Sequence, residues 1–303
     1  METRVIVIAA LAAGSTITGG GVPSAQDDLH ADHMFVAAQQ SGTAPFAAAL
    51  RKRDDLPAAE EIAKATLNTS RRHADWVDIT AGRQPIETFI VYPERSDKAP
   101  VVIAISDNQG LTDWIRSVGD QLAREGFIAV VPDMLSGRGP NGGNTDSFAD
   151  AGEAIKGISR LTREEVMRRL NAVRDYAVKL PAANGKSASI GFCWGGGYSF
   201  SFAAEATDLN AAVVFYGTSP DAQTLARIKV PLVGFYGGND ARVNATIEPA
   251  ASVMKKLGKK YEPTILPGAG HGFVRNQSRS EADFNATEQA WPRAMAFLKQ
   301  QTK

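Results

Sequence analysis

The chain has 303 residues, enough for one large α/β domain or two small ones. Apolar residues make up 44% and charged residues 22% of it, the balance of a soluble globular protein with a substantial core. The formal net charge of zero offers no basic excess to a phosphate backbone, so nucleic acid is not an expected partner. The single cysteine excludes an internal disulfide.

Residues 1–26 have the pattern of a signal peptide. Arg4 lies in a short n-region, and the run "VIVIAALAAG" that follows is apolar but too short to span a bilayer comfortably. Small residues at 22–26 offer a cleavage site. A disordered or buried N-terminus is the alternative interpretation. The pattern predicts export to the periplasm or the medium, with no membrane span after processing, and an unpaired thiol in such a compartment raises the question of reactivity.

Residues 27–74 are predicted to form a partly helical extension that packs on the surface. The stretch "PAAEEIAKATL" predicts one helix, with Pro57 in its first turn and acidic residues early. The sequence "HADH" at 30–33 has ligand-like spacing but no further histidine or cysteine cluster nearby, so no metal site is expected.

From residue 75 onward the chain alternates β-rich and helical stretches. "DWVDITAG" and "PIETFIVYP" predict an antiparallel pair. Further strands are predicted in "PVVIAIS", "FIAVVPDM", "SASIGF", "NAAVVFYG", "PLVGFYGGND" and "YEPTILPGAGHGF". Amphipathic helices are predicted over 113–126, 162–180, 195–206, 248–257 and 288–300. This order predicts one α/β domain over 75–303, with a mostly parallel sheet covered on both faces.

Residues 191–195 read Gly-Phe-Cys-Trp-Gly on a strand-to-helix turn. This G-x-C-x-G pattern is a nucleophile elbow with cysteine in place of serine. The glycines allow a sharp turn that exposes the sulfur of Cys193 near a helix N-terminus, which favours the thiolate. The amide of Trp194 is then positioned to stabilise an oxyanion. Phosphate binding or plain close packing is the alternative reading of such a turn.

A base and an orienting acid follow the cysteine in the chain. Of the four histidines, only His271 lies within the α/β body, in a glycine-rich loop after the last predicted strand. Asp240 lies in the loop after an earlier strand; Asp208 and Asp221 are weaker candidates because neither follows a strand directly. The order Cys193, Asp240, His271 is that of an α/β-hydrolase triad.

On "GFCWGGG", "YGGNDARVN", "GAGHGF", "FIAVVPDMLSG" and "NQGLTDWIRSVGDQLAREGF", the chain resembles the dienelactone hydrolase family over roughly residues 75–300. The resemblance implies an α/β-hydrolase fold and an enzyme that hydrolyses lactones and related esters through a cysteine thioester. It also implies that no metal or organic cofactor is needed, and that the partner is a small-molecule ester or lactone, with a carboxylate-bearing substrate as one option.

The resemblance assigns roles to further residues. The family loop usually carries Glu in an H-E-x-x-G-L pattern, where it controls ionisation of the thiol; here the chain reads Ser106 and Asp107, so that role falls to Asp107. The amide of Asn108 becomes the second oxyanion donor. Arg275, four residues after His271, matches a family arginine that binds a substrate carboxylate. Arg138, in "SGRGP", is a candidate for a second anchor of this kind.

Two rival functions stay open at this point. The departure at Ser106 and Asp107 is compatible with a weakened hydrolase fold that binds a ligand without turning it over. A free cysteine near a helix N-terminus is also compatible with a thiol-redox role. Oligomeric state and the actual substrate are not indicated by the sequence.

Overall fold

The computed structural model describes residues 53–82, 85–206 and 208–303. The predicted signal peptide, the "HADH" stretch and the first half of the predicted extension therefore lie outside the described residues. Within the described ranges, no helix is both long enough and apolar enough to cross a membrane.

The centre of the fold is an eight-stranded sheet in the order β1-β2-β4-β3-β5-β6-β7-β8. The strands are β1 Ala74–Thr80, β2 Pro85–Val91, β3 Ala99–Ile105, β4 Ile128–Pro132, β5 Ala183–Phe192, β6 Ala211–Phe215, β7 Leu232–Gly237 and β8 Tyr261–Leu266. β2 is antiparallel to both β1 and β4, and every other pairing is parallel. The predicted antiparallel pair and the mostly parallel sheet are confirmed.

Helices connect the strands and cover the sheet. They are α1 Glu60–Thr69, α2 Asp113–Arg124, α3 Ala151–Ser159, α4 Arg163–Ala177, α5 Trp194–Glu205, α6 Ala222–Arg227, α7 Ala241–Asn244, α8 Ile247–Lys256 and α9 Glu281–Gln301. The sequence did not predict α3, α6 or α7, and α9 begins well before the predicted start at 288. Pro57 was wrongly placed in the first turn of α1, because the chain is still extended at Ala59, the residue before that helix.

Strand β3 shows how the two faces of the sheet are built. Val102 and Ala104 belong to the core under α1, α2 and α9, whereas Val101 and Ile103 belong to the core under α3 to α8. All four side chains are fully buried. This alternation inside a continuous apolar run is what a sheet covered on both faces requires.

The described part of the extension lies against the α/β body. Ala63 of α1 is completely buried. The amide of Glu60 donates to the carbonyl oxygen of Arg275 at 3.0 Å, and the side chain of Gln277 donates to the carbonyl oxygen of Pro57 at 2.8 Å. Helix α1 is therefore attached to the segment that follows β8.

Candidate active site

Four of the predicted site residues follow the carboxyl ends of sheet strands. Asp107 comes after β3, Cys193 directly after β5, Asp240 after β7 and His271 after β8. These strands are neighbours or near neighbours in the parallel part of the sheet, so their carboxyl ends share one edge. Open α/β sheets bind their ligands at this edge.

Cys193 occupies a strained backbone conformation at the turn between β5 and α5. Its φ of 53° and ψ of −114° lie in a region that residues with a Cβ rarely adopt. A Cβ on Gly191 would come within 2.0 Å of the carbonyl oxygen of Gly195, and one on Gly195 within 2.2 Å of the carbonyl oxygen of Ser106. Both glycines of the elbow are therefore required by close backbone approach.

The three residues of the predicted triad form one chain of hydrogen bonds. Nε2 of His271 lies 3.0 Å from Sγ of Cys193, and Nδ1 lies 2.5 Å from Oδ2 of Asp240. The Asp240 side chain is 7% exposed, and its Oδ1 accepts a further hydrogen bond from the amide of Val243 at 3.3 Å. The imidazole is thereby held with one nitrogen on the sulfur and the other on a buried carboxylate.

Electrostatics favour a charged imidazole between the two acidic groups. Burial opposes protonation of His271, but the hydrogen bonds and negative charges of Asp240 and Cys193 outweigh it and raise its pKa to about 10. For Asp240, burial favours the neutral acid, yet the hydrogen bond from His271 keeps its pKa below the usual range. His271 is therefore protonated at neutral pH while it bridges Asp240 and the sulfur.

One predicted oxyanion donor belongs to the elbow itself, and the other belongs to the loop after β3. Trp194 is the first residue of α5, and Asn108 lies in the loop after β3. Within the described ranges, neither amide donates a hydrogen bond to another group of the protein. Their role in stabilising an oxyanion stays a prediction.

Arg275 is buried, and its guanidinium is bonded on two sides by carboxylates. Nη1 donates to Asp107; Nη2 donates to Glu60 of α1 and to Oε1 of Gln109 at 2.7 Å. Burial disfavours the charge, but hydrogen bonds and charges from Glu60 and Asp107 raise the pKa of Arg275. In this structure Arg275 and Asp107 bind each other. Substrate binding by Arg275 and control of the thiol by Asp107 both stay predictions.

Arg138 also has a carboxylate partner of its own. Its guanidinium donates to Glu165 at 2.8 Å from Nε, and the side chain is half exposed. Residues 162–165 read Thr-x-x-Glu, which is the sequence pattern of a capping box. Thr162 caps α4 by accepting from the Glu165 amide at 3.2 Å, but the Glu165 carboxylate pairs with Arg138 and Arg169 instead of returning to the cap. Substrate binding by Arg138 stays a prediction.

Tyr216 is a site residue that the sequence reasoning missed. It follows β6 with a φ of 41°, and its ring packs edge-on against the ring of His271 at 5.2 Å. Burial raises the pKa of Tyr216 well above its usual range, the charges of Asp107 and Cys193 raise it further, and Arg275 opposes them. Its buried hydroxyl has no hydrogen-bond partner among the described residues. The sequence signal that could have identified Tyr216 is a polar aromatic residue directly after a strand.

The remaining candidates lie outside this cluster. Asp221 caps α6 by accepting from the Thr224 amide at 2.8 Å, and Asp208 lies beside Arg174 at the surface. No group of three His, Cys, Asp or Glu side chains within 53–82, 85–206 and 208–303 could hold a metal ion.

The sheet order, the strained elbow and the cysteine–histidine–aspartate hydrogen bonds define a hydrolase of the α/β-hydrolase fold. The family model of the dienelactone hydrolase family matches residues 86–302. The chain therefore belongs to the dienelactone hydrolase family, as the sequence resemblance predicts.

Similarity to known proteins supports membership of this family. A candidate carboxymethylenebutenolidase from Saccharolobus solfataricus is 29% identical over 72% of this chain and 95% of its own. One from Escherichia coli is 26% identical over 80% of this chain and 94% of its own. Among solved structures, a candidate dienelactone hydrolase from Klebsiella pneumoniae is 24% identical, with a TM-score of 0.68 over 76% of this chain and 100% of that chain. That structural likeness supports the fold.

Proposed function

We propose that the chain hydrolyses a small ester or lactone through a thioester formed on Cys193. The observation that carries this proposal is the hydrogen-bond chain from Cys193 through His271 to Asp240 at the carboxyl edge of the sheet. The name carboxymethylenebutenolidase, given to the relatives, agrees with a lactone as the substrate.

Acylation begins with attack of the Cys193 thiolate on the carbonyl carbon. The carbonyl electrons move onto oxygen, and the amides of Trp194 and Asn108 stabilise the resulting oxyanion. When the tetrahedral species collapses, the bond to the alcohol oxygen breaks and protonated His271 gives its proton to that oxygen. An acyl group remains on the sulfur, and His271 is neutral; for a lactone, the released alcohol stays attached to this acyl group.

Deacylation uses the same groups, but His271 now acts as a base toward water. Neutral His271 takes a proton from water as the water oxygen attacks the thioester carbon. Collapse of the second tetrahedral species breaks the carbon–sulfur bond, releases the acid and restores the thiolate beside a protonated His271. Asp240 holds the imidazole in one tautomer throughout and stabilises its cationic form. Asp107 would control ionisation of the thiol.

The test is hydrolysis of p-nitrophenyl acetate by wild type and by the Cys193→Ser and His271→Ala variants. Both variants should lose at least about a thousandfold in kcat/KM, since each removes a member of the triad. His73→Ala is the matched control, because His73 is an exposed surface residue, and it should keep the wild-type rate. Retained turnover in Cys193→Ser or His271→Ala would contradict the proposal.

Two other results would favour the rival functions. A stoichiometric burst of p-nitrophenol without turnover would mean that Cys193 is acylated but not deacylated, as in a ligand-binding protein of hydrolase ancestry. Rapid oxidation of Cys193 by peroxide, with no reaction toward esters, would favour a thiol-redox role.

We further propose that the chain is exported and that the segment 1–26 is removed. The basis is the charged and apolar pattern of that segment. Sequencing the N-terminus of the protein recovered from the periplasm or medium tests it; a mature chain that retains Met1 inside the cell would contradict it.

A further inference from the structure

The guanidinium of Arg275 is shared between two carboxylates, one from the site and one from the N-terminal extension. Nη1 is bonded to Asp107, and Nη2 to Glu60. One positive charge against two negative charges leaves an excess of one negative charge in this group, in which Arg275 and Asp107 are buried and the Glu60 side chain is 37% exposed. Arg279 approaches the outer oxygen of Glu60 at 3.7 Å, but its side chain is 58% exposed, so water screens it.

This charged group includes part of the loop after β3, which packs against the elbow that carries Cys193. Asp107 and Gln109, which both bind Arg275, lie in the loop that carries the predicted oxyanion donor Asn108. The start of that loop lies against the elbow, as the close approach between Gly195 and the carbonyl oxygen of Ser106 shows. The Arg275 guanidinium also lies 5.6 Å from the centre of the Trp114 ring, and that ring packs edge-on against Phe192, the residue before Cys193. A net charge here acts on any acyl group bound to the sulfur.

Glu60 is held in place by the docking of α1 rather than by its ion pair alone. Its backbone amide donates to the Arg275 carbonyl oxygen at 3.0 Å. Its neighbour Glu61 accepts from the hydroxyl of Ser278 at 2.7 Å, and Ala63 is fully buried one turn further on. The hydrogen bond from Arg275 keeps the pKa of Glu60 below its usual range, so the carboxylate is charged at neutral pH.

We infer that Glu60 determines substrate charge: by neutralising Arg275 together with Asp107, it makes the site prefer uncharged acyl groups over acyl groups that carry a carboxylate. A substrate carboxylate could reach Arg275 only by displacing Glu60 or Asp107, or by binding beside both. Displacement leaves a partly buried carboxylate without its partner, and the second arrangement places three negative charges around one positive charge. The inference rests on the proposed function, because it concerns the substrate of the same cysteine.

The experiment compares two esters of similar size, p-nitrophenyl butyrate and mono-p-nitrophenyl succinate, which differ in one carboxylate. Wild type should show the higher kcat/KM for the butyrate ester. Glu60→Gln keeps a side chain of the same shape that can still accept from Arg275, but it removes the charge. It should raise the succinate-to-butyrate ratio of kcat/KM about tenfold, mainly through KM for the succinate ester.

Glu61→Gln is the matched control. It removes the same charge from the same helical turn without touching Arg275, so its ratio should equal that of wild type. If wild type has a higher kcat/KM for the succinate ester than for the butyrate ester, that result alone overturns the inference. So would a ratio that is unchanged in Glu60→Gln, or one that changes equally in Glu60→Gln and Glu61→Gln. No turnover of either ester by wild type would instead count against the proposed function itself.

Discussion

The strain at Cys193 predicts that glycine at this position makes the protein more stable while leaving it inactive. A residue with a Cβ at φ 53° and ψ −114° costs roughly 1–3 kcal/mol, whereas glycine adopts this conformation freely. Cys193→Ala is the proper reference, because it removes the sulfur and its contact with His271 but retains the Cβ. The comparison between Cys193→Gly and Cys193→Ala then isolates the backbone.

The expected gain is about 1 kcal/mol in the free energy of unfolding. Relief of about 2 kcal/mol of strain is reduced by roughly 1 kcal/mol for the greater freedom of glycine in the unfolded chain and the lost methyl contacts. In a domain of this size that difference corresponds to about 3 °C in Tm.

Thermal unfolding of the two variants, followed by circular dichroism, measures this difference. Ala204→Gly, in the ordinary helical backbone of α5, is the control and should lower Tm, because glycine costs about 1 kcal/mol in a helix. A Cys193→Gly variant that melts at or below the Cys193→Ala variant would refute the strain argument.

Three further variants test the elbow, the triad and a helix cap. Gly195→Ala should lower the free energy of unfolding by about 3 kcal/mol or more in a urea titration, since its Cβ meets the backbone oxygen of Ser106, which cannot move aside; a loss below 1 kcal/mol would contradict the close approach. Asp240→Asn should lower Tm more at about pH 6 than above about pH 10. A histidine whose pKa is raised in the folded state stabilises the fold at pH values below its pKa in the unfolded chain, and this stabilisation is lost as the pH rises through its pKa in the folded state. An equal decrease in Tm at both pH values would count against a charged His271. Thr162→Ala should cost about 1 kcal/mol through the lost N-cap, and no change would show that the cap is dispensable.

Much of the fold follows from local sequence pattern. Continuous apolar runs such as the one ending at Ile105 are buried on both faces, and residues two apart share a face, so the parallel strands could be predicted from their composition. The elbow was predictable as well, because Gly191 and Gly195 bracket Cys193 and each is needed for backbone contact. Their positions in loops after predicted strands, together with the chain order, then singled out Asp240 and His271, whose hydrogen bonds the structure supplies.

The parts that the sequence did not predict depend on long-range contacts. Glu60 is 215 residues from Arg275 in the chain. No local sequence pattern relates an acidic residue in the first turn of a helix to a buried arginine after β8. Tyr216 was missed because its contact with His271 arises only when β6, β7 and β8 lie side by side in the sheet. Short helices such as α6 and α7 escaped because they contain too few turns to show a periodicity.

The separation of the three hydrogen-bonded residues along the chain has a consequence for biosynthesis. His271 follows Cys193 by 78 residues and Asp240 by 31, and the three residues come after β5, β7 and β8. A chain that has emerged only as far as α5 carries the cysteine without its imidazole, so the sulfur stays an ordinary thiol, slow toward electrophiles at neutral pH. Under the proposed function, the enhanced nucleophilicity of Cys193 requires Asp240 and His271, so it arises only after β7 and β8 have been added to the sheet. The rate of labelling of this single cysteine can therefore serve as a clock for completion of the C-terminal half during synthesis.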